Sequence, residues 1–108
     1  MKLLTWRKLV RGPLRGFADY ELAVEHGRAL QVFECPVLVG ANGPWVALPG
    51  KPRLDRDGNV QRNSTSGKPE YVALLKWGNA ETRNRFSRAA IQLLLARHPD
   101  ALDAKEAP

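Results

Sequence analysis

Seven cations carry the chemistry that this sequence offers most openly. Lys51, Arg53, Arg56 and Arg62 fall in a stretch rich in proline and glycine, Lys76 stands beside Trp77, and Arg85 and Arg88 lie three residues apart. Lys68 and Arg83 enlarge the same groups, and only Asp55 and Asp57 oppose the loop cations before Glu70. Lysine and arginine neutralise phosphates and release their counterions, while an exposed aromatic ring stacks on an unpaired base. Together these residue types point to nucleic acid. Each also has a plainer reading: solvated charge for the loop cations, core packing for Trp45 and Trp77. The signal is cumulative and rests on no single residue.

Catalytic and metal-binding patterns fail one by one. His26 lies in an expected turn, and His98 lies near the end of an expected helix, where the dipole favours a cation. Cys35 is the only cysteine, so neither an intrachain disulfide nor a multi-cysteine zinc site can form within the chain, and a buried structural thiol is expected. Asp55-x-Asp57-x-Asn59 opens like a calcium loop, but that loop needs glycine at its sixth position and glutamate at its twelfth. Val60 and Ser66 stand there instead. Gly67-Lys68 lacks both the earlier glycine and the following hydroxyl residue of a Walker loop. The expectation is therefore a protein that is not an enzyme, with no catalytic residue, no cofactor and no metal.

The 108 residues carry a formal net charge of +6. Residues 1–18 hold five cations and no acid, while the last ten residues are net −2, which leaves +8 on the first 98. A basic body of this kind favours a polyanionic partner. The length fits one domain, and no apolar run approaches the ~20 residues needed to span a bilayer. The charged start, Met1 to Arg11, is unlike the apolar centre of a signal peptide. With a single cysteine, a reducing cytoplasmic location is expected, without membrane association.

The elements that must position these residues follow from periodicity. Leu14 to Val24 alternates with one apolar face, as a strand does. Leu30 to Val39 reads as a second strand, in which Pro36 implies an edge, a bulge or a local break. Gly40-Ala-Asn-Gly43 is a hairpin turn, and Pro44 to Leu48 returns. Glu70 to Trp77 reads as the next strand. Residues 1–12 fit a short strand, an amphipathic turn or an arm equally well. Asn79 caps a helix whose stripe is Phe86, Ala89, Ala90, Leu93, Leu94 and Ala96, closed by His98-Pro99. Arg85, Arg88 and Gln92 share its far side. Ile91 and Leu95 widen the apolar arc and hint at a subunit contact. The expectation is an α+β fold of about four antiparallel strands followed by one C-terminal helix. Residues 1–98 form the single domain, with a long flexible loop at 49–69 and a small hairpin tip around Asp57-Gly58, and 99–108 form a disordered tail. One helix covers only one face of such a sheet, so a homodimer is expected.

Phe33 to Pro52 resembles the central hairpin of the SpoVG septation-protein family, through Val37, Gly43, Trp45, Val46, Ala47, Pro49 and Lys51. Gly16 to Val24 is similar to that family's first strand. The resemblance implies a small dimeric protein that binds DNA, and in some members RNA, as a regulator. Gly50 replaces the family's usual serine, the 53–69 loop is longer, and the helix from Asn79 does not follow the family's C-terminal pattern, so no contact residue is carried over. The order of strands then helix is also similar to PC4-like single-stranded-DNA-binding proteins. The leading expectation is thus a nucleic-acid-binding regulator that uses Lys51, Arg53, Arg56, Arg62, Lys76, Arg85 and Arg88. The alternative is a protein-interaction module, or a phage or mobile-element accessory factor, without nucleic-acid binding.

Overall fold

The computed structural model describes residues 1–104. Its first half is an antiparallel meander in the spatial order β1-β2-β3-β4, built from β1 (Lys2–Arg11), β2 (Leu14–Ala23), β3 (Ala29–Gly40) and β4 (Gly43–Val46). Gly12 and Pro13 close the first hairpin, and Ala41 and Asn42 close the last, between the paired Gly40 and Gly43. A second sheet pairs β5 (Gly50–Pro52) with β6 (Tyr71–Ala73), and α1 (Ala80–Arg97) ends the regular structure. The fold is α+β, with the expected four-stranded sheet and C-terminal helix. The fourth strand differs from the expectation, however. It is the N-terminal segment, whereas the 70–77 run contributes only three residues, and these to the second sheet.

Helix α1 forms where the pattern places it. The Asn79 side chain accepts a hydrogen bond from the Thr82 N–H at 2.8 Å, which satisfies one of the first turn's free donors. The helix buries Phe86, Ala90 and Leu94 against one face of the sheet, formed by Leu3, Ala18, Tyr20, Val32, Cys35, Val37 and Val46. The Phe86 ring meets Tyr20 edge-on, with centroids 5.9 Å apart, and Trp77 at 5.0 Å. Ile91 and Leu93 widen the contact as half-buried partners of this core.

Two irregularities flank Asp19 in β2. The β1–β2 register shifts between Leu3 and Thr5, and the β2–β3 register shifts so that Phe33 and Glu34 lie between the paired Val32 and Cys35. Glu34 takes a left-handed conformation, φ 60°. The Asp19 carboxylate holds both shifts in place, accepting from the Glu34 N–H at 2.8 Å and from the Thr5 hydroxyl. Pro36 lies two residues beyond Glu34 and is paired with Phe17, so β3 accommodates it near the bulge and not within it.

Two expectations need correction. Residues 49–69 are not an unstructured loop. The β5–β6 ladder runs into a three-way junction where the Arg53 N–H donates to Glu70 O (2.7 Å), Gln61 to Arg53 (2.7 Å) and Glu70 to Gln61 (3.0 Å). From this closed ring two small hairpins branch, one through the Leu54–Val60 bridge and one through Arg62–Pro69. Their tips are tied by side chains, Asp55 accepting from Asp57 and Asn59, and Asn63 from Thr65 and Ser66. Short polar residues that bond to the backbone two to four positions on thus replace the missing apolar contacts. Nor does the domain stop at residue 98. Ala101 is fully buried in the core, Leu102 packs on it, and Lys8 Nζ and Arg15 Nε donate to the carbonyls of Asp100 and Leu102, both at 2.9 Å. Three residues sufficed to plug the core, too few to form a periodic pattern. Residues 105–108 of the expected tail lie outside the described residues.

Candidate nucleic-acid interface

The sequence-derived cations fall on three parts of the molecule. Lys51, Arg53, Arg56 and Arg62, together with Lys68, stand on the three-way lobe, all exposed. Arg53 pairs with Glu70 at 3.8 Å, and Arg62 donates to the Gly67 carbonyl at 3.1 Å. Lys51, Arg56 and Lys68 have no acidic partner among the described residues. The lobe departs from a compact outline. The Cα radius of gyration is 15.2 Å, against roughly 13 Å for a compact chain of this length.

Lys76 belongs to a second feature. A cleft of about 700 Å³ opens between β4, the 75–79 segment and the first turns of α1. Trp45 and Trp77 line it, with Asn79, Asn84 and Ser87 as polar groups and Lys76 and Arg83 as its charges. Among the described residues no acidic one lines it. Trp77 is held by Phe86 from the core side. Trp45 is 41% exposed, and its ring lies across Gly40, where a Cβ would come within 2.8 Å of it. The Ser87 hydroxyl accepts from the Val46 N–H at 2.9 Å, so the helix also caps the outer edge of β4. The positions of both tryptophans therefore combine the core and the surface readings of the sequence.

The remaining two cations are on α1. Arg85 is turned outward and paired with Glu81 at 2.8 Å, one helical turn away. Arg88 is exposed and follows Asn84 by four residues, which continues the cleft's flank along the helix. The expected grouping of helix and loop cations on one surface is not what the fold provides. Helix α1 packs on the face that holds Ala18, Cys35 and Val37, whereas β5 and β6 stand over the opposite face, beside Phe17, Glu34 and Pro36. The chain crosses from one face to the other between residues 73 and 77, around the β4 edge, and this crossing places Lys76 between the lobe and the cleft.

The opposite face holds a groove of about 750 Å³ lined by Leu14, Phe17, Pro36, Leu38, Tyr71 and Leu75, with Glu34 as its charged residue. Glu34 is paired with Arg7 at 3.0 Å, and the Arg7 guanidinium lies 5.2 Å from the centre of the Phe17 ring.

Sequence reasoning missed the cleft as a unit. Arg83, Asn84 and Ser87 come together with Trp45 only through the packing of α1 on β4, across some forty residues of chain. The one local clue was Trp45 itself, an aromatic residue two positions beyond the Gly40–Gly43 hairpin turn. Among the described residues no cluster of three or more histidine, cysteine or carboxylate groups is placed to hold a metal, and no helix is long and apolar enough to cross a membrane. Compared with family models, curated proteins and solved structures, the chain gives no match, so the resemblance of its central hairpin rests on the hairpin's own residues.

Proposed function

We propose that this protein binds nucleic acid, with the Trp45–Trp77 cleft as its contact surface and the lobe cations, over the opposite face of the sheet, as a separate electrostatic patch, and acts as a small regulatory factor in the cytoplasm. The observation that carries the reading is the composition of the cleft: two tryptophans, two cations, three polar side chains and, among the described residues, no acid. Phosphate requires cations free of competing carboxylates, and bases require flat apolar surface. The lobe supplies five more cations against two acids between residues 51 and 69, all five exposed. The test is fluorescence anisotropy of labelled single-stranded DNA, duplex DNA and RNA across a salt series. Binding that weakens steeply with salt supports the reading. No binding to any of the three at low salt overturns it.

A second reading, a protein-interaction module or homodimer, draws on the apolar groove on the other sheet face, where Tyr71 is 65% exposed. Sedimentation at rising protein concentration tests it, and a monomer at every concentration counts against a homodimer.

A further inference from the structure

We infer that the Trp45–Trp77 cleft takes an unpaired nucleotide, so that the preferred ligand is single-stranded nucleic acid rather than duplex. This deepens the proposed function and rests on it.

The walls of the cleft decide the form of the ligand. A duplex keeps its base faces stacked inside and presents only base edges in its grooves. Tryptophan gains most from a base face, which only an unpaired or splayed nucleotide offers. Trp45 is exposed enough to receive one and is fixed from behind by Gly40. Lys76 and Arg83 lie within the same lining and supply the charge a phosphate requires.

The polar groups sharpen the match. Asn79 spends its carbonyl oxygen on the Thr82 N–H, and Ser87 spends its oxygen on the Val46 N–H. Asn79 is left with its amide N–H groups to offer and Ser87 with its hydroxyl hydrogen, and Lys76 and Arg83 only donate. Asn84 adds an amide oxygen as well as two N–H donors, so among its side chains the cleft holds more donors than acceptors. A nucleotide is the converse, with acceptors at its phosphate and at base carbonyl and ring nitrogen atoms. Arg88, on the same flank as Asn84, extends the cationic path toward an adjoining phosphate.

The experiment compares a labelled single strand, the duplex of the same sequence and the corresponding mononucleotide, against the intact protein and two variants. Trp45→Ala is expected to weaken single-strand binding roughly ten- to hundredfold, while Trp45→Phe retains most of it. Because Trp45 also packs in the β3–β4 hairpin, Asn84→Asp serves as the second variant. It places a carboxylate in the cleft from an exposed helix position, and a several-fold loss with an unchanged circular dichroism spectrum is expected. Single-strand and duplex affinities within a factor of two overturn the inference, as does wild-type binding by both Trp45→Ala and Asn84→Asp. Equal affinity for the mononucleotide and the strand overturns it in favour of a small-nucleotide site. Absence of binding to every nucleic acid instead rejects the underlying function.

Discussion

The phenolic hydroxyl of Tyr20 donates to the Ala90 carbonyl oxygen at 2.9 Å, across 70 residues of chain. Tyr20 is fully buried in β2, and Ala90 lies at the centre of the helix face that packs on it. Helix and sheet are thus joined by a directional bond inside an otherwise apolar contact. The bond fixes one point of α1 over β2 beside the apolar packing of Phe86 and Leu94. Tyr20→Phe keeps the ring against Phe86 and removes only the hydroxyl. Chemical denaturation is expected to show a loss of about 1 kcal/mol, seen in thermal melts as roughly 4–8 °C.

Stability also depends on pH through Cys35. Burial pushes its thiol up to about 12 from the ordinary 9.0, with Asp19 and Glu34 adding in the same direction. Near pH 7 and below, the thiol is protonated in both folded and unfolded chains and contributes no slope. Above that range the unfolded chain releases the proton first, so the unfolded state holds fewer protons and stability falls as pH rises toward 12. Urea unfolding midpoints are expected to decline between pH 8 and 10, and Cys35→Ala should flatten that decline. An equal slope in the variant would assign it to other groups.

Gly16 in β2 has no room for a side chain. A Cβ there would overlap the Arg7 carbonyl oxygen of β1 and come within 2.6 Å of the Trp6 ring. The carbonyl belongs to the backbone ladder and cannot swing aside. Gly16→Ala should therefore cost about 1–3 kcal/mol by overpacking, measured by denaturant unfolding. Gly40→Ala meets only the rim of the Trp45 ring, a partly exposed side chain rather than backbone. That variant should keep its stability better and show altered tryptophan emission.

Charge in the cleft is open to a graded test. Arg83→Gln removes one cation without introducing a negative group. If Arg83 contacts a phosphate, the slope of log affinity against log salt should shrink by about 1. Arg85→Gln removes a cation already paired with Glu81 on the outward face of the helix, and its slope should stay at the wild-type value.

The three-way junction yields the sharpest structural test. Its ring of hydrogen bonds uses the Gln61 backbone N–H, which proline lacks. Gln61→Pro should expose residues 54–69 to proteolysis and speed their amide exchange while the Tyr20–Phe86 core keeps its protection. Gln61→Ala retains the N–H and should behave as wild type. Equal protection in both variants would mean that the ring does not hold the lobe together.

How much of this could be read beforehand differs by element. The β2–β3–β4 meander and α1 were legible because Tyr20, Val37 and Phe86 recur at the periods of strand and helix, and because Asn79 caps where it should. Strand β1 was ambiguous, since the register shift between Leu3 and Thr5 breaks its alternation. Of the lobe only the hairpin tip around Asp57-Gly58 was legible, through its turn residues, and it is the Leu54–Val60 hairpin. The junction was hidden for a different reason. Backbone hydrogen bonds among Arg53, Gln61 and Glu70 hold it, and these leave no hydrophobic pattern. The individual cations of the candidate site were visible, but their grouping was not. Lys76 and Arg83 share a cleft only because α1 seats its Ser87 against the β4 edge, a long-range contact that no local spacing encodes.

Gly50 and Ala73 face each other as the outermost pair of the β5–β6 ladder, a spacing of roughly 4.5–5.5 Å between Cα atoms in antiparallel strands. Everything from Lys51 to Val72 therefore leaves and re-enters the domain through a single doorway. An insertion, a deletion or a wholesale exchange of that cassette changes what the molecule can reach without asking the sheet or the helix to move. The domain is in this sense a handle with an interchangeable head, and a short turn joining residues 50 and 73 would give the handle alone.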